Sequence, residues 1–321
     1  MKMHIRSRAT PSGIFITEVA MGDGPTAAVF AGVHGNERGS RRGAQDFLSS
    51  VLKQPLITGG KLVVVQNANP LACILGKRSV DTDMARCINN PDAAGAGYES
   101  IPARELKELC DSIKPDAALD LHTMGGKTVF DPVNPLPVFG FLDHPENQEM
   151  LSALGVPTQV TGWPELHGQE YDLAMYIQSL GGKALVAECG HHDDPASAGS
   201  AWHLAVNLLR FMGMIPEDHM KPDVPSGLLA DGKNPSRVHL VKRIPAVEGA
   251  VFAQAGFYNF MPVEPSQVIT EVDGKPAFTV PDDGNSYRLV IPKTDNKGNI
   301  TVPPGQTCAL LGRVTTPDLR I

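Results

Sequence analysis

Residues 26–53 read TAAVFAGVHGNERGSRRGAQDFLSSVLK. The first eight are apolar, small or β-branched, and the run ends at Gly35, as a buried strand ends at a turn. From about Arg38 to Lys53 the residues Ala44, Phe47, Leu48, Val51 and Leu52 recur at helical spacing. The pattern continues outward. Gly59-Gly60 precedes KLVVVQ, a second buried strand, and a helix fits 102–113, opened by Pro102 with Leu106, Leu109 and Ile113 on one face. DAALDLH (116–122) and KALVAEC (183–189) read as a third and a fourth strand, and 197–213 as a long helix. Strands alternating with helices predict an α/β layer fold with a mixed, largely parallel sheet and flanking helices.

After about residue 220 the helical periodicity stops. RVHLV, AVFAQ, VIT, AFTV, YRLVIP and CALLGRV are separated by Gly, Pro, Asn and Asp, which predicts a small C-terminal all-β domain. The expected domains are 1–220 and 221–321, with MKPDVPSG as the linker. A chain of 321 residues suits one large and one smaller domain.

Composition narrows the function classes. A formal charge of −7, with no basic run longer than Arg41-Arg42 or Lys242-Arg243, argues against nucleic acid as a partner. The five cysteines are odd in number and contain no C-x-x-C pair, so neither a disulfide framework nor a Cys-ligated structural zinc is expected. The N-terminus MKMHIRSRATPSG has no apolar stretch to serve as a secretory signal, and no apolar run is long enough to span a membrane. A cytoplasmic protein with reduced thiols is expected, its oligomeric state open, homo-oligomers included.

The chemistry-bearing residues gather at strand ends. His34 and Glu37 sit three apart on the turn after the first strand, and both side chains are good zinc ligands. Taken alone, the pair reads more often as a surface turn with a capping carboxylate. His122 ends the third strand, where open α/β sheets gather their ligands, although a lone histidine there is more often a hydrogen-bonded core residue. Two His and one Glu without an evident fourth ligand match a catalytic zinc site with an open position. Glu188 leaves the fourth strand, where a carboxylate needs either a partner or a task such as general base. Arg78 and Arg86 can polarise a carbonyl or clamp a carboxylate, or simply be solvated. Asp83 between them is either a loop acid or a group that orients a zinc-bound histidine.

Taken together, G-V-H-G-N-E (32–37), N-P-x-A followed by Arg78 and D-x-A-R (83–86), D-L-H-T (120–123) and E-C-G (188–190) resemble the succinylglutamate desuccinylase/aspartoacylase family, within the zinc-carboxypeptidase group. The resemblance covers most of 26–213, and more weakly the C-terminal pieces GFYNFMPVEPSQVI and YRLVIPK. It implies a zinc-carboxypeptidase-like fold and one zinc ion per chain on His34, Glu37 and His122. Glu188 becomes the general base and acid, Arg78 the group that polarises the scissile carbonyl, and Arg86 the contact to the substrate carboxylate. Asp83 matches the family's Asp. The family also brings a C-terminal tyrosine to the substrate; Tyr287 is the candidate here, with Tyr258 behind it. One residue departs from the pattern: Ala85 stands where the family usually has Asn before the second arginine. That removes an amide donor to a substrate carboxylate, a bond worth roughly 1.5–3 kcal/mol.

The implied activity is hydrolysis of the amide of a small N-acylated amino acid, a small-molecule substrate. Two other readings stay open. A metallocarboxypeptidase acting on short peptides would use the same residues, and a metal-binding scaffold would not use Glu188 at all. Cys189, His191 and His192 are expected to stay outside the ligand set.

Overall fold

The computed structural model describes residues 2–54, 57–95, 97–125, 139–141, 147–167, 172–216, 236–295 and 297–315. In chain order the elements are β1 (His4–Ala9), β2 (Phe15–Met21), β3 (Thr26–Ala31), α1 (Arg38–Lys53), β4 (Gly60–Val65), α2 (Pro70–Leu75), α3 (Ser100–Ile113), β5 (Ala117–Met124), β6 (Phe139–Phe141), α4 (Gln148–Ala153), β7 (Thr158–Thr161), α5 (Trp163–His167), α6 (Leu173–Ser179), β8 (Lys183–His191) and α7 (Pro195–Phe211). There follow β9 (Ser236–Pro245), β10 (Ala250–Phe252), β11 (Met261–Val263), β12 (Val268–Val272), β13 (Lys275–Thr279), β14 (Tyr287–Val290) and β15 (Thr307–Val314).

Twelve strands form one mixed sheet in the order β1-β2-β4-β3-β5-β8-β6-β7-β9-β15-β14-β11. Its centre, β4-β3-β5-β8, is parallel. The alternation of side chains along β3 builds two cores from one strand. Ala27, Val29 and Ala31 join a cluster with Phe47 of α1 and Leu204 and Leu208 of α7. Ala28 and Phe30 point the other way and join Leu106 of α3 and Ile177 of α6. Phe47 is fully buried, so truncating it to Ala would cost roughly 3–5 kcal/mol. Where α1 and α7 meet, glycines replace side chains. A Cβ on Gly43 would lie 2.5 Å from the carbonyl oxygen of Ala198 and from Cβ of Ala201, and one on Gly39 would lie 2.8 Å from Cβ of Ser197.

The C-terminal region is all-β, as expected. It also extends the large sheet: β9 pairs in parallel with β7, and β15, β14 and β11 follow. A separate three-stranded sheet, β10-β12-β13, covers a core containing Ile244, Phe257, Ile269 and Leu311. The expected linker at 220–227 and the boundary at 221 lie outside the described residues. Among the described residues no helix is long and apolar enough to cross a membrane.

Candidate active site

The turn after β3 is pressed against α2, and glycine makes that possible. A Cβ on Gly35 would lie 2.0 Å from the backbone of Ala72, and one on Gly32, which has φ +77, would lie 3.0 Å from Cα of Asn67. Asn69 and Gly35 donate their backbone N–H to the carbonyls of Gly32 and Arg78, which ties the turn to the loop that follows β4. His34 and Glu37 are thereby held at the carboxyl end of β3, both at most 4% exposed.

Glu37 precedes α1 but makes no side-chain capping bond. Its Oε1 lies 2.6 Å from His34 Nδ1 and its Oε2 lies 3.0 Å from His122 Nδ1. The two imidazole Nδ1 atoms are 3.1 Å apart. The donor atoms of the three residues all fall within 4.8 Å of one another. The far nitrogens are each held by a carboxylate: His34 Nε2 is 3.0 Å from Asp83 Oδ1, and His122 Nε2 is 3.0 Å from Asp120 Oδ2. That arrangement fixes each ring with Nδ1 aimed at the common point, the pattern that carboxylates impose on metal-binding histidines. Burial opposes charge on His122, but Asp120 and Glu37 outweigh it and hold its pKa well above the usual value. Three convergent nitrogen and oxygen donors, two of them oriented from behind, fit a zinc-type ion with an open coordination position.

Strand register sets the next residue. His122 on β5 is the direct partner of Glu188 on β8. Glu188 Oε2 is buried and has no hydrogen-bond partner among the described residues. Burial first, and then the charge of Glu37, push the Glu188 carboxyl up to about 7. Such a group takes and returns protons near neutral pH. Cys189, the next residue on the strand, packs in the opposite core with its thiol on the carbonyl of Ala187.

A cavity of about 150 Å³ opens on these groups. Arg78 lines it, with Nη2 2.8 Å from Asp83 Oδ2 and Nη1 3.8 Å from Glu37 Oε1. Asp83 thus serves Arg78 with one oxygen and His34 with the other. Ala85 and Arg86 also line the cavity, with the Arg86 guanidinium 5.8 Å from the centre of the Trp163 ring. Tyr287 is placed elsewhere: it is buried in the C-terminal core and its hydroxyl donates to Asp283 Oδ2 at 2.8 Å. Neither it nor Tyr258 lines the cavity. A larger depression of about 390 Å³ beside Phe15 and Arg38, Arg41 and Arg42 contains none of the metal-type donors.

Three groups of the site escape sequence reading: Asp120 behind His122, and Lys293 and Asp172 in the cavity wall. Asp120 is two residues before His122, on the same strand face, so its signal lay in the DLH triplet. Lys293 arrives from beyond β14, where Ile291 takes φ +49 and donates its N–H to Asn259 Oδ1. Burial, and then Arg78, hold Lys293 below the usual lysine value. Asp172 precedes α6 and reaches the same cavity.

The profile of the succinylglutamate desuccinylase/aspartoacylase catalytic domain matches residues 23–210. The chain belongs to that family. The match spans His34, Glu37, Arg78, Arg86, His122, Asp172 and Glu188, while Ile291 and Lys293 lie beyond it. Family folds in solved structures extend over the C-terminal strands as well. The succinylglutamate desuccinylase of Chromobacterium violaceum superposes with a TM-score of 0.68 at 18% identity, covering 97% of this chain and 94% of its own. The succinylglutamate desuccinylase/aspartoacylase of Rhodobacter sphaeroides gives 0.69 at 16%, covering 98% and 96%. The product-bound ectoine utilization protein EutE (DoeB) of Ruegeria pomeroyi gives 0.67 at 16%, covering 97% and 94%. At these identities the likeness is one of fold. No curated protein matches the chain.

Proposed function

We propose that this family member is a zinc-dependent amidohydrolase that removes the acyl group from a small N-acylated amino acid. The observation that carries the reading is the placing of the Glu188 carboxylate, whose Oε2 is buried without a partner among the described residues, beside the His34–Glu37–His122 donor cluster. The names of solved relatives as desuccinylases and aspartoacylases support it.

His34, Glu37 and His122 would hold the zinc, which when bound supplies a Lewis acid and makes water a better nucleophile near neutral pH. Glu188 takes the proton of the attacking water and later delivers it to the amide nitrogen as the C–N bond breaks. The guanidinium of Arg78, held in place by Asp83, faces the negative charge that develops on the carbonyl oxygen. Arg86 holds the carboxylate of the amine half. Water adds across the amide, so the products are a carboxylic acid and a free amine.

The test is hydrolysis of a panel of N-acetyl, N-succinyl and N-formyl amino acids by protein loaded with one equivalent of zinc. Release of free amine, abolished by a chelator and restored by zinc, is the expected result. A protein that binds zinc through these ligands and cleaves none of the panel, while trimming C-terminal residues from dipeptides, would move the reading to a carboxypeptidase.

A further inference from the structure

The depression beside α1 shares no lining residue with the cavity of the active site. At about 390 Å³ it has the size of a small-molecule site. Its lining is basic. Arg38, Arg41 and Arg42 come from the start of α1, and no carboxylate lines the depression among the described residues. Arg42 is paired with Asp46, its Nε 2.8 Å from Oδ2. The other two are not neutralised. The Arg38 side chain makes no hydrogen bond or ion pair among the described residues, and Arg41 makes one long bond, from Nη1 to the carbonyl of Cys73 at 3.5 Å. Arg41 Nε is buried and has no partner among the described residues.

The helix does not account for these charges. The first turn of a helix favours acidic side chains and disfavours basic ones, and α1 has no acidic residue there. Glu37, just before it, is turned to His34 and His122. Positions 38, 41 and 42 share one helix face, so their guanidinium groups sum to a field that attracts an anion from solution.

The rest of the lining narrows the anion. Gln45 and Gln66 add side-chain amides with no hydrogen-bond partner among the described residues. Two guanidinium groups and two amides offer more donors than a carboxylate accepts, and they suit the three oxygens of a phosphate monoester. Phe15 lines the same depression and is 44% exposed. Asn67 fixes the chain there: its Oδ1 accepts the N–H of Phe15 at 2.9 Å, and its Nδ2 donates to the carbonyl of Gly13 at 3.1 Å. An exposed aromatic ring beside basic groups is a platform on which a base can stack.

We propose that this depression binds a nucleoside monophosphate, with its phosphate on Arg38 and Arg41 and its base on Phe15. The site is independent of the hydrolytic reading and gives the protein a second class of ligand.

Titration calorimetry of zinc-loaded protein, at about 0.15 M salt to screen loose attraction, compares adenosine monophosphate, ribose 5-phosphate and adenosine. Adenosine monophosphate should bind about tenfold or more tighter than adenosine, which lacks the charge. It should bind about fivefold tighter than ribose 5-phosphate, which lacks the base. The double variant Arg38→Gln, Arg41→Gln should lose the first advantage, and Phe15→Ser the second. Without ligand the double variant should melt no lower than the wild type, because it removes two cations from the start of a helix. Should it fail to fold, Arg38→Gln alone gives the reading, since Arg38 has no protein partner to lose among the described residues. No binding of adenosine monophosphate overturns the proposal. So does binding that survives in the arginine variants, which would place the phosphate on the arginines of the active site. Equal affinity for adenosine monophosphate and ribose 5-phosphate overturns it as well, because the base then makes no contact. Lower melting with unchanged nucleotide affinity would assign the arginines to structure and overturn it too.

Discussion

His122 and Glu188 are direct partners across the parallel strands β5 and β8, with their side chains on the same face of the sheet. The spacing of the His122 ring and the Glu188 carboxylate is thus set by backbone hydrogen bonds in the middle of a twelve-stranded sheet, and not by a loop. The proposed base should therefore be replaceable without loss of the fold.

Glu188→Gln is expected to retain zinc and to lower turnover by about 10²-fold or more. It should also stabilise the metal-free protein. The folded-state value, about 7, lies above the ordinary 4.5, so the folded chain holds a proton that the unfolded chain releases. Stability from this group is complete below about pH 4.5 and is lost as pH rises toward 7. At about 1.4 kcal/mol per unit, the loss is on the order of 3 kcal/mol. Thermal unfolding of chelator-treated wild type and Glu188→Gln should coincide at pH 4.5 and diverge at pH 8, with the variant melting higher. Equal melting at pH 8 would show that Glu188 is not a strained group.

His122→Ala should remove bound metal and activity while the far-ultraviolet circular dichroism stays native. Elemental analysis decides it: full metal occupancy in this variant would mean that the ligands are other residues. Alkylation of the Cys189 thiol, which burial holds well above the usual value and which packs on the other face of the sheet, should be slow and should leave the metal in place.

Asp83→Asn keeps the shape of the side chain but weakens its hold on both His34 and Arg78. A fall in zinc affinity of roughly 10–100-fold is expected. kcat at saturating zinc should fall as well, because Arg78 loses its anchor. Competition with a chromophoric chelator gives the first quantity and steady-state kinetics the second. A variant with wild-type affinity and a reduced kcat would assign Asp83 to Arg78 alone.

Ala85 is 8% exposed and lines the cavity next to Arg86. N-acetylaspartate is expected to be a poor substrate of the wild type. Ala85→Asn should raise the ratio of kcat/KM for N-acetylaspartate to that for a neutral N-acetyl amino acid, by up to about tenfold if one hydrogen bond to a charged group is regained. Strong wild-type preference for N-acetylaspartate would show that this position does not determine specificity.

The central fold was legible because its strands are buried on both faces and its helices are amphipathic. The run TAAVFA at 26–31 became β3, and the helix expected over 38–53 is α1. The hairpin β1–β2 was not legible, because HIRSRA is polar and mostly exposed and alternates too weakly to announce a strand. Among site residues, the members of compact motifs could be read from spacing. Lys293 and Asp172 could not: each reaches the cavity through the path of the chain after a distant element, and neither stands in a local pattern of its own. Tyr287 was chosen by resemblance, and its hydroxyl is engaged with Asp283.

The glycine crossings between α1 and α7 bear on how the site is held. Helix α1 leads away from Glu37, and α7 follows the strand that carries Glu188. At Gly39 and Gly43 helix α1 has no side chain and comes close to Ser197, Ala198 and Ala201 of α7, and Trp202 Nε1 adds a hydrogen bond to Ser50 Oγ at 3.2 Å. The turn that carries Glu37 and the strand that carries Glu188 are therefore each followed by a helix, and the two helices are packed closely on one another. Ile291 and Lys293, which follow β14, line the cavity as well. The C-terminal strands thus shape the pocket without supplying any of the three clustered donors.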